Sequence, residues 1–463
     1  LFSAGVTSRL GRVDEGNTTS DYDPDEVKRK ISINLSLLPF QWNDSKVNLV
    51  DTPGYADFVG EVRSGVRVAD GAVVVVCAAS GVEVGTEQVW KYAEDGTIPR
   101  LIFINKMDRD NTDFYRTLEE LQSKFGRKCV PIQLPVGSQS SFQGVVDLIL
   151  MRAYSGPGRG EETIPPSLEG EANSFHEKLV EAVAETSDEL TVKYLEGEEI
   201  TSDELYQALR AATLSSKVVP ILAGSALQSI GITHLSDAIC SYLPSSQEAG
   251  QIRATNPHTQ QEEIIEPDES SPLAALVFKT TADPYVGKLN YFRVYSGTIY
   301  SNSQVWDATK EQSERIGQLF VLRGKAQEAV PHLIAGDIGA VAKLAVVGTG
   351  DTLCNREHLV TLTPIQFPSS SFSLAIYPKT KADLDRLGSA LPRLVEEDPT
   401  LQLRKESDTG ETILSGIGDS HLDVVIDRMH RKFGVEVRGV ARKVRYKETI
   451  TASVKAEYKH KKQ

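Results

Sequence analysis

The sequence predicts an α/β layer domain with a parallel sheet and an inserted polar subdomain, followed by a small β-barrel and a split βαβ sandwich. Three observations predict it. Apolar β-branched runs alternate with amphipathic helices early in the chain. Short strands with turn signals and weak helical periodicity follow from Leu273. Residues 370–442 then read strand, helix, strand, strand, helix, strand. The expected boundaries are 1–262 for the α/β domain, with its insertion at about 135–215, then 273–362 for the barrel, 370–442 for the sandwich and 443–463 for the start of a further domain.

Each element rests on a local pattern. Residues 33–42 and 46–51 read as two strands around the turn Asn43-Asp44-Ser45. Gly71–Ala78 is a continuous β-branched run, as in a central parallel strand, and Cys77 reads as its buried filler. Glu83–Glu94 is helical, Arg100–Asn105 is a second apolar strand, and Asp113–Phe125 is helical with Phe114, Leu118 and Leu121 on one face. In the insertion, the loop Ser155–Pro166 precedes polar helices over 174–196 and 202–212. Val218–Ala223 and Ile232–Leu243 supply a last strand and helix. The acidic stretch Glu262–Pro272 reads as a linker. In the sandwich, Thr380 with Asp383 and Ser420 with Asp423 have capping-box spacing, and Pro392 predicts a kinked helix.

Composition narrows the function. Of 463 residues, 40% are hydrophobic, enough for a core in each domain. A formal net charge of −14 excludes a protein whose whole surface grips nucleic acid, so RNA contact falls to local basic patches such as the tail Lys459–Gln463. Four dispersed cysteines without CxxC read as reduced thiols in a cytosolic protein. No signal peptide pattern is present, and no apolar run is long enough for a bilayer. Both ends read as cut, since Leu1 opens in an apolar segment and Val454–Gln463 stops in a basic strand-like stretch.

Three short motifs fall after apolar strands, where open α/β sheets bind ligands. The first is Asp51-Thr52-Pro53-Gly54. Asp51 is placed to hold Mg²⁺, directly or through water, and Gly54 lacks a Cβ, so its amide can approach a terminal phosphate. The second is Asn105-Lys106-Met107-Asp108. The Asp108 carboxylate can accept both N1–H and the exocyclic amine of guanine. Adenine offers an acceptor at N1 and nothing at C2, which leaves the carboxylate unpaired. Lys106 can lie along the base and Asn105 can tie loops together. The third is Gly224 followed by Ser225, Ala226 and Leu227, small enough to leave room for the base, with backbone amides available to its carbonyl oxygen.

With these three motifs in this order, the chain resembles the elongation factor G class of translational GTPases, and within it the elongation factor G-like paralogues. The resemblance extends through Ala282–Gly297 and Ala335–Leu344 in the barrel, Tyr377–Pro399 and Ser415–Val437 in the sandwich, and Val444–Ile450. It implies a P-loop-NTPase-like G domain with an inserted subdomain, a β-barrel second domain and a ferredoxin-like third. It also implies GTP and GDP as ligands, Mg²⁺ as cofactor, and the ribosome (rRNA and ribosomal proteins) as partner. A cytoplasmic monomer engaging neither membrane nor DNA is the expectation. Ser32 matches the family's Mg²⁺-binding threonine, so the expected metal ligands are Ser32 and Asp51.

Departures from the family pattern are equally specific. No G-x-x-x-x-G-K-[ST] phosphate loop occurs between Leu1 and Gln463. Truncation just before Leu1 and a GTPase-shaped protein without the cradle are the two readings. Lys30 stands where the family has glycine, which implies a stiffer loop. Tyr55 replaces the histidine that positions the attacking water, so Tyr55 and Gly54 are the catalytic candidates. A phenol is a poor general base at neutral pH but can orient a water, which implies slowed rather than abolished hydrolysis. The other reading of Tyr55 is a packing residue on the helix that follows. His421 and His430 read as helix-face or packing residues. Two functions follow: a ribosome-dependent GTPase, or a guanine-nucleotide- or ribosome-binding module that hydrolyses very slowly or not at all.

Overall fold

The computed structural model describes residues 1–158, 160–283, 287–444, 446 and 448–462. The barrel residues Pro284–Val286, the insertion residue Arg159, and Arg445, Lys447 and Gln463 near the end of the chain lie outside the described residues. The chain divides into one unit of residues 1–368 with 396–399 and a second of residues 369–395 with 400–463.

In the first unit, a short helix α1 (Pro24–Arg29) leads into an antiparallel hairpin of β1 (Ser36–Trp42) and β2 (Ser45–Asp51). Strand β1 starts later than the expected residue 33. The amides of Ile33, Asn34 and Leu35 are taken by glutamate side chains, so that stretch does not pair. Next come α2 (Val59–Arg67), β3 (Ala72–Cys77), α3 (Val84–Asp95), β4 (Arg100–Asn105), α4 (Phe114–Phe125) and β5 (Cys129–Pro131). Helix α4 forms where the pattern placed it: Asp113 caps the Arg116 amide at 3.0 Å, and Phe114, Leu118 and Leu121 are buried.

The insertion holds a sheet that periodicity did not reveal. β6 (Gln133–Val136), β7 (Gly144–Asp147), β8 (Arg152–Ser155) and β9 (Gly160–Glu162) pair antiparallel in that order. These strands are three or four residues long, too short for a period-two signal. Three helices follow, α5 (Glu169–Ala184), α6 (Asp188–Leu195) and α7 (Ser202–Leu214). The expected single helix over 174–196 is therefore two, because Ser187 adopts extended backbone and caps α6 through the Leu190 amide. β10 (Val219–Ala223) and α8 (Ile232–Tyr242) complete the domain. The parallel sheet has the order β3-β4-β10-β5. Strand β4 lies at its centre with Leu101 to Ile104 at most 1% exposed, as a strand covered on both faces requires. β3 is one of the two outer strands of this sheet among the described residues; Val75 there is 58% exposed and Cys77 half-buried, so Cys77 is less buried than its apolar run suggested.

The acidic stretch is no simple linker. β11 (Ile252–Thr255) and β12 (Glu262–Ile265) form a hairpin, with Ile265 buried and Ile264 turned outward in the alternation of a half-buried strand. β13 (Ala274–Asp283) and β14 (Gly287–Ser296) then lead an eight-stranded antiparallel sheet. It curls about a common apolar core that includes Val277, Phe292, Val305, Leu319, Leu333 and Val341.

The second unit has the expected βαββαβ order. Its strands Gln402–Lys405, Thr412–Gly416, Phe372–Pro378 and Val437–Ala441 lie side by side in that spatial order. The sheet packs on α9 (Lys381–Glu397) and α10 (Asp419–Phe433) through Ile376, Leu387, Leu391, Leu414, Leu422 and Val425. Thr380 and Asp383 exchange hydrogen bonds as a capping box does. Ser420 and Asp423 do not, because α10 begins earlier, at Asp419, with Gly418 as its cap. Helix α9 runs through Pro392, which lies inside it. His421 is a satisfied core histidine, 3% exposed, with Nδ1 accepting the Ile417 amide at 3.1 Å.

Candidate functional site

Two of the three motifs are locked together at one edge of the parallel sheet. β3, β4 and β10 run in register, with Cys77 beside Asn105 and Ile104 beside Ala223, so the segments leaving β4 and β10 emerge as neighbours. Asn105 Oδ1 accepts the amides of Lys106 at 2.7 Å and Ala226 at 3.0 Å. Met107, fully buried, donates its amide to the Gly224 carbonyl at 3.2 Å and anchors the turn. Lys106 adopts φ 65°, so the chain reverses sharply between Asn105 and Asp108. Asp108 stays half-exposed at the corner.

The floor of this corner requires glycine. A Cβ on Gly224 would sit 2.5 Å from the Ile230 carbonyl oxygen and 2.8 Å from the Phe103 ring. In the Gly224–Leu227 loop, Ser225 donates its amide to Ile230, Ala226 to Asn105 and Gln228 to the Ser225 hydroxyl. Leu227 is 50% exposed, and its amide is the one in this loop without a partner among the described residues.

The remaining motif is carried by the hairpin rather than by the parallel sheet. Asp51 ends β2, whose one neighbouring strand among the described residues is β1. Burial pushes its carboxyl above the usual carboxylate range, and a hydrogen bond from the Ser20 side chain opposes the shift. Thr52 packs so closely on α2 that a Cβ at Gly65 would lie 2.7 Å from its methyl carbon. Pro53 is buried, and Gly54 is exposed with open space around its α-carbon. Tyr55 follows as the cap of a short 3₁₀ turn, Ala56–Phe58, and makes no side-chain capping bond. At 55% exposure it is not a packing residue of α2.

The segment before β1 carries Ser32, which is half-buried. Lys30 ends α1 at φ 57° and ψ 38°, the left-handed conformation a glycine would adopt freely. Glu26, 1% exposed, accepts the amides of Ile33 and Asn34 at 3.0 and 2.8 Å on one oxygen and that of Asp23 at 3.0 Å on the other. Burial raises its carboxyl, and those bonds pull back. Glu61 of α2 accepts the Leu35 amide at 2.8 Å and also meets Lys279 of β13. Arg293 of β14 reaches Asp70 at 2.6 Å and the Val68 carbonyl at 2.7 Å, so the barrel holds both ends of α2. Glu26 was findable from the sequence, since Asp23 and Glu26 have capping-box spacing on either side of Pro24. Glu61 and Lys279 carried no local signal. Among the described residues, no three His, Cys, Asp or Glu side chains cluster as a metal site. A Ser hydroxyl and a carboxylate are hard oxygen donors, which suits a Mg²⁺ ion that takes most of its ligands from phosphate and water.

Comparison with known proteins places these features in context. Residues 1–245 match the family described as Elongation factor Tu GTP binding domain, residues 272–356 match Elongation factor G domain 2, and residues 367–440 match Elongation Factor G, domain III. The chain is 44% identical over 465 aligned residues to Elongation factor G of Thermotoga maritima, covering 99% of this chain and 67% of that protein. Elongation factor G of Thermotoga petrophila aligns with the same identity and coverage. A crystal structure of a Thermus thermophilus protein is similar with a TM-score of 0.84 at 33% identity, over 96% of this chain and 64% of that one.

Proposed function

The chain belongs to the elongation factor G family of translational GTPases, and from that premise we propose that it binds GTP at the Asn105–Asp108 corner and hydrolyses it to GDP and phosphate on the ribosome. The observation that carries the reading is the pairing of Asn105 with Ala226, which joins the two segments that would enclose a guanine. Asp108 would accept from guanine N1–H and its amine, and Leu227 would offer its amide to the carbonyl oxygen. Lys106 would lie along the ring.

Asp51, Thr52, Pro53 and Gly54 would face the terminal phosphate. Ser32 and Asp51 would hold Mg²⁺, which when bound offsets negative charge on the phosphate oxygens. Tyr55, exposed beside Gly54, would orient the attacking water through its hydroxyl without accepting a full proton. Release of phosphate would free the two segments that contact it, and the barrel bonded to α2 would feel the change.

A cytoplasmic monomer with the ribosome as its partner is part of the same proposal. Residues 369–395 and 400–463 carry 18 Lys and Arg against 11 Asp and Glu, although the whole chain is net −14, so the second unit is where RNA phosphates would meet positive charge. No helix among the described residues is long and apolar enough to cross a membrane. The test is phosphate release from GTP with and without ribosomes. Stimulation by ribosomes is expected; nucleotide binding without phosphate release in either condition would leave only a binding module.

A further inference from the structure

Three consecutive amides follow Ser32, and each is taken by a glutamate. Glu26 accepts those of Ile33 and Asn34, and also the Asn34 side-chain amide at 3.2 Å. Glu61 accepts that of Leu35. Ile33 and Leu35 are each 2% exposed, so water cannot replace these acceptors without opening the fold. The two carboxylates come from different helices, α1 and α2, and Glu61 is paired in turn with Lys279, itself 6% exposed.

We infer that Glu26 and Glu61 are positioning residues for Ser32, holding the segment Ile33–Leu35 that follows it in one conformation and joining that segment to the barrel through Lys279. The inference rests on the GTPase reading above, because Ser32 matters to ligand affinity only if it contributes to Mg²⁺ with the terminal phosphate in place. Removing either acceptor leaves buried amides unpaired and lets the segment from Ile31 to Leu35 move. GDP lacks the terminal phosphate that orders such segments, so its binding should be nearly indifferent to that movement.

The experiment measures GTP and GDP dissociation constants, and the Mg²⁺ midpoint for GTP, on the full-length protein and on Glu26→Ala, Glu61→Ala and Glu26→Gln. Expected are an about tenfold loss of GTP affinity in the two alanine variants and GDP affinity within about twofold of the parent, in line with couplings of this kind. The Mg²⁺ midpoint should rise. Glu26→Gln should recover most of the loss, because one carboxylate oxygen makes three of the four contacts. Trypsin supplies a readout without nucleotide: cleavage at Lys28–Lys30 should accelerate in Glu26→Ala. Equal losses for GTP and GDP, or no loss, would overturn the inference. If the parent protein binds neither nucleotide, the GTPase reading fails first and the inference goes with it.

Discussion

Tyr55 is the residue to which the proposed mechanism assigns the attacking water. It is more than half exposed beside Gly54 and carries no capping bond, so its hydroxyl is free to meet a water. Replacing it by histidine adds a group that titrates near neutrality and can offer a cation to developing charge. Tyr55→His should raise ribosome-stimulated turnover with little change in nucleotide affinity; an unchanged turnover number would remove Tyr55 from the mechanism. Asp307 in the barrel makes a different prediction. It is fully buried, one oxygen accepts the Thr309 and Lys310 amides, and the other has no partner among the described residues. Burial, reinforced by Asp351, pushes its pKa to about 6, above the ordinary 3.8. The folded state therefore holds this proton more tightly than the unfolded chain does. Its contribution is full at low pH and is lost as pH rises towards 6. Asp307→Asn keeps the useful acceptor and deletes the buried charge. It should stabilise the barrel transition at pH 7.5 by on the order of 2 kcal/mol and flatten its pH dependence between about 4 and 6, measured by scanning calorimetry. A destabilised variant at pH 7.5 would contradict this. At this scale the sequence was most legible at Asn105, read as a tie between loops and found bonded to the Ala226 amide. It was least legible where partners are far apart, as with Glu61 and Lys279.

Among the elements, the turn after α1 places an ordinary residue in a conformation that suits glycine. Lys30 occupies the left-handed region that costs an ordinary residue roughly 1 kcal/mol or more, and its amide still closes the helix onto the Glu26 carbonyl at 2.7 Å. A β-branched residue should not tolerate that backbone. Lys30→Val should speed amide hydrogen exchange across residues 24–35 by about tenfold, whereas Lys30→Gly should leave it close to the parent. Equal exchange in both variants would show that the conformation is not constrained. Elements with long single-period patterns, such as β4 and α4, were readable in advance. The short strands β6 to β9 were not, nor was the start of β1, because glutamates from elsewhere take the amides that would otherwise pair. The acidic run before the barrel misled for a related reason: Glu262–Ile265 alternates over only four residues, and its charge hid a strand.

At the scale of the whole molecule, the sequence of layers was legible because hydrophobic periodicity changes character at each transition: parallel α/β, then antiparallel sheet, then βαββαβ. Less legible was how the first unit joins its hairpin and α2 to its barrel. Several of those joints are made by side chains far apart in sequence, Glu61 to Lys279, Arg293 to Asp70 and Val68, and Arg67 to the Tyr295 hydroxyl at 2.8 Å, beside an apolar core that Leu35, Leu37 and Val68 share with Leu276, Phe278 and Ala340 of the barrel. A guanine base at the Asn105–Asp108 corner is the claim from which the rest follows, and competitive binding of GTP, ATP and XTP to the full-length protein and to Asp108→Asn tests it most directly. The parent should prefer GTP to ATP by at least about a thousandfold. Asp108→Asn should exchange GTP for XTP, since a carboxamide can accept from N1–H and donate to the carbonyl that xanthine carries in place of the amine. A parent that binds ATP as well as GTP, or a variant that keeps its GTP preference, would contradict the account.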